Sequence, residues 1–375
     1  MAKIVHVTET LATGVLSVLS CLAKEQLQDG HEVVVIGSRL RSDTPVSWRT
    51  ELPEKVHYID LPMEREITPT ADLRSALQMR TLLRSIAPDV IHLHSSKAGA
   101  VGRFAAFGLG ARIIYQPHGL AYLRKDVSRG QRAAFASIEA ALALLGGTVV
   151  ACSEGERTEL LKVVRDAQVA LVWNGIDLKS VPRATAGTGR LRIGTCGRIS
   201  AQKRPAFFAE VAQELREIAD FVWIGDGDEA GKQALLNAGV RVKGWCSRAV
   251  ALEELSDLHI YIQTSAWEGL PISVIEALAA GLPVIATDIV GNRDLLLNSG
   301  TGALIDTPSE MVAALRHFMS CDKLRYAAGQ TARRLALERY SSTAMMQGYY
   351  QVYGLDSGKS LAHDLSSVQS SLTRA

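Results

Sequence analysis

Cysteine is scarce and scattered in this chain of 375 residues: Cys21, Cys152, Cys196, Cys246 and Cys321 form no C-x-x-C pair and have no histidine at ligand spacing. That argues against a disulfide scaffold or a zinc ribbon, and the thiols read as small buried hydrophobes of a reducing compartment. Long apolar runs are also missing. No uncharged stretch approaches the roughly 18 residues a membrane span needs, so none is expected. Met1-Ala2-Lys3-Ile4-Val5-His6-Val7 enters a strand pattern directly, without the apolar region of a signal peptide. A cytoplasmic protein is expected, with peripheral attachment to the inner face of the membrane left open. Charge of one sign is absent too: 41 Lys and Arg against 39 Asp and Glu leave +2 and no polycationic tail, which disfavours a dedicated nucleic-acid binder.

What is present is core. Hydrophobic residues make up 47% of the chain, and its length suits two domains. Short β-rich runs alternate with helical runs from the first residue onward, the signature of parallel α/β sheets. Strands are predicted at 3–7, 31–37, 56–60, 89–93, 112–115 and 148–151. After the irregular stretch 181–190 the alternation restarts at 191–195 and continues through 220–224, 240–243, 258–262 and 283–286. The domains are therefore placed at 1–180 and 181–340, with a helix at 341–354 and a polar, serine-rich, mobile tail at 355–375.

The stretch Thr264–Glu276 (T-S-A-W-E-G-L-P-I-S-V-I-E) organises the second half. It follows a strand, turns through Gly269 and Pro271, and becomes a helix whose first turn can accommodate Pro271. The amides of Gly269 and Leu270 then face an anion, phosphate above all. Glu268 and Glu276 bracket them with seven residues between, and carboxylates beside an anion site suit ribose or hexose hydroxyls. Other strand ends should converge here. Gly197-Arg198-Ile199-Ser200-Ala201-Gln202-Lys203 brings a guanidinium that can grip phosphate oxygens and an ammonium that acts as a point charge. Gly225-Asp226-Gly227-Asp228 offers a turn close enough for a nucleotide to lie on its backbone, and Gly244-Trp245 could read a base edge. In the first half, Gly14 after strand one either approaches a substrate or serves helix entry. His118 follows the fifth strand, where a histidine can donate to a sugar or phosphate and titrates near neutrality. His92 and His94 share a strand face, but without a third ligand nearby they predict no metal. The run Leu120–Arg132 carries Arg124, Lys125, Arg129 and Arg132 against Asp126; it suits an anionic membrane surface or a diphosphate-bearing acceptor, or is simply a solvated loop.

The E-x7-E pair, the G-R-x5-K-x-P setting from Gly197 to Pro205 and Asn174-Gly175-Ile176-Asp177 between the halves together resemble the GT-B-fold, retaining glycosyltransferases of family 4, over residues 3–353. The resemblance implies two Rossmann-like domains facing a cleft, with the acceptor mostly on the first, the sugar nucleotide mostly on the second, and the final helix crossing back. It implies that Glu276 holds the donor ribose and Glu268 contacts the transferred sugar. Arg198, Lys203 and the amides of Gly269 and Leu270 would take the diphosphate, and His118 would reach the sugar near the reacting carbon. The donor would be a UDP- or GDP-linked hexose, the acceptor a lipid-linked saccharide of bacterial surface polysaccharide assembly. No cofactor and no metal would be needed, Asp226 and Asp228 included. The usual paired glycines of the first loop are Thr13-Gly14 here, and E-G-F is Glu268-Gly269-Leu270. A sugar-nucleotide 2-epimerase, an NAD-dependent oxidoreductase using the Gly225 loop, and a non-catalytic sugar-nucleotide binder are the alternatives.

Overall fold

Strands that are apolar on both faces can be buried only between two helix layers, which parallel α/β sheets provide. The computed structural model, which describes residues 1–41, 43–64, 66–185 and 189–356, has two such sheets. The first contains β1 (Lys3–Thr8), β2 (Glu32–Gly37), β3 (His57–Asp60), β4 (Val90–His94), β5 (Arg112–Gln116), β6 (Thr148–Ala151) and β7 (Val169–Leu171). The second contains β8 (Leu191–Cys196), β9 (Ala219–Ile224), β10 (Arg241–Val242), β11 (Ile260–Gln263), β12 (Val284–Thr287) and β13 (Gly302–Ile305). Their orders are β3-β2-β1-β4-β5-β6-β7 and β10-β9-β8-β11-β12-β13, with parallel pairing throughout. This is the two-domain GT-B arrangement. β7 and β13, edge strands of three and four residues, were not anticipated. The helix after β12 spans Val290–Leu296.

In each sheet the strand order reverses once, between β1 and β4 and between β8 and β11. Loops leaving neighbouring strands there diverge to opposite faces and open a crevice at the carboxyl edge. The loops after β1 and β4 start at Glu9 and Ser95; those after β8 and β11 start at Gly197 and Thr264. Every candidate side chain of the second domain but Trp245 and Glu276 belongs to loops beside that reversal.

The chain crosses between the sheets twice, side by side. Ile176 forms a parallel bridge with Ser341, donating to Tyr340 O at 2.9 Å and accepting from Ser342 at 2.8 Å. Gly175 lies so close to the Ser341 carbonyl that a Cβ would overlap it. The helix Ser342–Tyr353 then lies on the first domain, where Ser342 Oγ donates to Glu25 and Tyr350 OH to Asp29, both at 2.8 Å. The linker stretch is pinned to the second domain by Ala184 and Thr185 amides on Ala280 and Ser256 carbonyls. Of the expected tail, residues 357–375 lie outside the described residues.

Arg103 is a buried cation in the first domain: its Nη2 bonds Glu139 at 2.6 Å, its guanidinium lies 4.1 Å over the Tyr115 ring, and Tyr115 OH donates to Glu139 at 3.1 Å. Removing one partner strands the other charge, a loss of about 3–5 kcal/mol for a buried pair. Glu139→Ala should therefore lower unfolding stability in urea by that order, and a loss under about 1 kcal/mol would refute the assignment.

Candidate functional site

The crevices of the two sheets face each other and form one cavity of about 490 Å³. Gly14, Glu9, Arg41, Asp43, Lys97, His118 and Arg124 line its first-domain wall. Gly197, Arg198, Lys203, Gly225, Trp245, Arg248, Glu268, Gly269, Leu270, Pro271 and Glu276 line the other.

Lys203 ends the 3-10 turn Ala201–Lys203 and sets its Nζ 2.7 Å from Glu268 Oε1. That carboxylate is held from several sides, accepting from Ser265 Oγ at 2.8 Å, Gln202 Nε2 at 3.1 Å and Gln263 Nε2 at 3.4 Å. Arg198 reaches across the cleft to Asp43, which also pairs with Arg41 at 2.8 Å. Burial pushes the Asp43 carboxyl up, but Arg41 and Arg198 outweigh it and hold the group below the usual carboxylate range. Glu276 is buried, and Arg248 Nη2 sits 2.6 Å from its Oε1, an ionic contact rather than a well-directed hydrogen bond. Burial raises the Glu276 carboxyl, with Arg248 pulling against it.

Pro271 is the N-cap, not a residue of the first turn; the helix is Ile272–Ala280. The reason is local: at ψ 115° Pro271 is still extended, while its carbonyl already accepts from Val274 and Ile275 at 3.1 and 3.2 Å. The amides of Gly269 and Leu270, with those of Ile272 and Ser273, stand at the positive end of this helix, without an acceptor among the described residues. Gly269 leaves little room for a side chain, since a Cβ would lie 3.0 Å from both Gly119 N and Glu156 Oε1 on the opposite wall. The Gly119 amide donates to that Glu156 oxygen, and Ser153 Oγ to Gly269 O at 3.4 Å, so the two walls touch here.

The remaining glycines meet close neighbours in the fold. A Cβ on Gly225 would overlap Gly197 O, and one on Gly227 would overlap Ile199 O, so their closest partner is the adjacent loop's backbone. Gly14 faces Ile272, 3.4 Å from a would-be Cβ, across the domain junction. Gly244 does not line the cavity; at φ +79° it turns the chain so that Trp245, 52% exposed, does. Asp226 and Asp228 serve structure: Asp226 pairs with Lys232 at 3.1 Å, and Asp228 caps the helix Glu229–Asn237 through Gly231 N at 2.8 Å. Arg124 does reach the cavity, paired with Asp126 at 2.8 Å.

His118, at φ +56°, is placed on the first-domain wall, with Nε2 2.9 Å from His94 Nδ1. The expectation that it titrates near neutrality is wrong, because burial pushes it down to about 3. The expectation that His92 and His94 lack a third ligand is also wrong. β1 pairs with β4 so that His6 lies opposite His92, and nitrogens of His6, His92 and His94 all fall within 4.8 Å. His6 Nδ1 and His94 Nε2 are 2.9 Å apart. Tetrahedral zinc with bonds near 2.1 Å would hold its ligands about 3.4 Å apart, so hydrogen bonding describes this pair better.

Several cavity residues were not singled out from sequence. Glu9, buried, accepts from Ser95 Oγ, and burial raises its carboxyl. Its position just past β1 was the available signal. Arg41, Asp43 and Arg248 carried none: Asp43 meets Arg198 155 positions away, and Arg248 meets Glu276 on another helix.

A model of the glycosyl transferase 4-like domain matches residues 13–175, and one of glycosyl transferases group 1 matches residues 190–321. Among characterised relatives, an Escherichia coli UDP-Gal:alpha-D-GlcNAc-diphosphoundecaprenol alpha-1,3-galactosyltransferase is 28% identical, over 64% of this chain and 68% of its own. A GDP-mannose-dependent alpha-mannosyltransferase of Mycolicibacterium smegmatis is 29% identical, over 83% and 85%. In fold, the chain is similar to Anabaena HepE crystallised with UDP and glucose, with a TM-score of 0.78, 16% identity, and 94% and 100% of the two chains covered. Sucrose-phosphate synthase from Thermosynechococcus elongatus gives 0.80 at 16% identity, covering 94% and 98%.

Proposed function

The chain belongs to the group 1 glycosyltransferases, and on that premise we propose that it transfers a hexose-type sugar from a UDP- or GDP-sugar, with retention at the anomeric carbon, to a hydroxyl of a lipid-linked saccharide in bacterial surface polysaccharide assembly. One observation carries this reading. The strand-order reversals of both sheets open on a single cavity whose second-domain wall brings together Arg198, Lys203, a helix N-terminus, Glu268 and Glu276.

In this reading the diphosphate docks on the Gly269 and Leu270 amides, with Arg198 and Lys203 on its oxygens. Entry exchanges partners, since Asp43 and Glu268 hold those cations by ion pairs. Released from Lys203, Glu268 keeps its Ser265, Gln202 and Gln263 donors and turns an acceptor oxygen to the sugar hydroxyls. As the glycosidic C–O bond breaks, charge grows on the leaving phosphate, and fixed cations stabilise it more than they stabilise the ground state. The departing phosphate oxygen takes the acceptor's proton on the face where the new bond forms, so retention needs no enzymic nucleophile. Positive charge from Arg198, Lys203 and the helix terminus does the work a divalent cation would do, and Asp226 and Asp228 are already committed to the fold. This supports a metal-independent reaction without a cofactor.

The acceptor side is the first-domain wall, where Arg41, Lys97 and Arg124 suit an acceptor bearing its own diphosphate. The basic run through Arg132 would meet the inner membrane face. Among the described residues no helix is long and apolar enough to cross a membrane. The glycosyltransferase relatives lend no support to the epimerase alternative.

Calorimetric titration with UDP and with GDP tests the donor site and selects the base. Glu276→Ala should weaken the preferred nucleotide about tenfold, the order expected for one lost charge-assisted hydrogen bond. No binding of either nucleotide to the wild type would refute the function. Unchanged affinity in the variant would refute the ribose role alone.

A further inference from the structure

Four histidines lie under the cavity, three of them in a row and the fourth joined to it through Gln26 and Tyr353, and the mechanism above uses none of them. His118 Nε2 meets His94 Nδ1 at 2.9 Å, His94 Nε2 meets His6 Nδ1 at 2.9 Å, and His6 Nε2 meets the Gln26 amide at 2.8 Å. The other end of that amide lies 3.3 Å from Tyr353 OH, which in turn lies 2.8 Å from His92 Nδ1. The residues come from β1, β4, the loop after β5, the helix Thr13–Gln28 and the final helix Ser342–Tyr353. His6, Gln26, His92, His94 and Tyr353 are buried at 2% exposure or less.

A neutral imidazole carries one proton, so in such a row every ring must donate in the same direction. Burial keeps all four rings neutral, with His6 pushed down to about 4, His118 to about 3, and His92 and His94 held well below the ordinary histidine value. Only two directions exist, and amide oxygen and nitrogen have nearly the same size, so Gln26 fits either at the same distances.

If Gln26 accepts from His6 and donates to Tyr353, the hydroxyl must donate to His92 Nδ1. His92 then carries its proton on Nε2, which is buried and has no partner. Letting His92 donate instead merely leaves the Tyr353 hydroxyl proton unpaired. If Gln26 is turned, every contact of the row has one donor and one acceptor: His92 Nδ1–H donates to Tyr353, Tyr353 to Gln26, Gln26 to His6, His6 to His94 and His94 to His118. His92 Nε2 is then a bare lone pair, which is cheaper to bury than an N–H. The row ends at His118, with Nε2 occupied and the proton on Nδ1, the nitrogen bonded to no other described residue, on a side chain that lines the cavity.

We infer that Tyr353, Gln26, His6 and His94 form a one-way hydrogen-bond relay that fixes His118 as the Nδ1–H tautomer, so that it meets the bound sugar as a donor to an oxygen. The substrate part of this inference rests on the function proposed above; the tautomer does not. Gln26, His6, His94 and Tyr353 are positioning residues, and the final helix sets the polarity of a side chain in the opposite wall of the cleft from the nucleotide.

Nitrogen-15 histidine-labelled protein, without substrate at pH 7.5, reports each ring's protonated nitrogen through two-bond correlations, with His118 identified by its loss in His118→Ala. Protonation of His118, His94, His6 and His92 on Nδ1 is expected. In Tyr353→Phe and Gln26→Met, His118 should shift to a mixture of tautomers, and kcat should fall about three- to tenfold while the donor KM stays within twofold. A wild-type His118 protonated on Nε2 overturns the relay, and this spectrum decides even if a variant fails to fold. A shifted tautomer with unchanged kcat overturns its part in transfer. Failure of every sugar nucleotide to bind would sink the function and leave the tautomer result intact.

Discussion

Lys203→Ala is expected to lower kcat about 100-fold, the scale on which one preorganised donor to a developing oxyanion is lost. The charge that Lys203 meets grows during bond cleavage, so its contribution is larger in the transition state than on substrate binding, and the effect should fall mainly on kcat. The fold should survive, because Glu268 keeps its bonds from Ser265, Gln202 and Gln263 when the ammonium is gone. Near-wild-type unfolding stability with a collapsed kcat would assign the loss to chemistry. A kcat within threefold of wild type would remove Lys203 from the leaving-group site. Lys203→Arg, which restores charge but not a compact point charge at 2.7 Å, should recover only part of the rate.

Acid sensitivity is the second large effect. His6 titrates near 4 in the folded chain against about 6.5 unfolded, so between those values the unfolded state binds more protons. Its contribution to stability is therefore intact above pH 6.5 and is shed as pH falls toward 4, at about 1.4 kcal/mol per pH unit. His92, His94 and His118 shift in the same direction for the same reason. The buried acids Glu9, Glu156 and Glu276, whose carboxyls burial raises, act oppositely above their unfolded value. A difference measurement isolates the histidine part. Between pH 7.5 and 5, wild type should lose about 2 kcal/mol more stability than His6→Gln in urea unfolding. Equal losses in the two proteins would show that His6 is protonated in the fold.

Much of the architecture was legible because strand and helix are local, periodic signals. The second domain's site was legible for a related reason: Arg198, Lys203, Glu268 and Glu276 belong to short motifs at strand ends, and the parallel topology gathers strand ends. What stayed hidden depends on register and closure. His6 sat in plain view in the first strand, yet it joins His92 and His94 only once β1 pairs β4 with His6 opposite His92. Asp43 and Arg198 are 155 positions apart and meet across a domain junction that no periodicity encodes. The histidine's expected titration failed because burial, a tertiary property, overrides its ordinary pKa.

The paired crossing at Ile176 and Ser341 has a mechanical consequence. A single connecting segment acts as a swivel and lets two bodies twist, tilt and slide. Two adjacent segments locked by their own hydrogen bonds act as a door hinge, which leaves one axis of rotation. Gly175 admits no side chain where the two segments touch, so the pin of the hinge is as thin as backbone allows. Any opening of the cleft then repeats the same arc, and Arg198 returns to the same place opposite Asp43 each time it shuts.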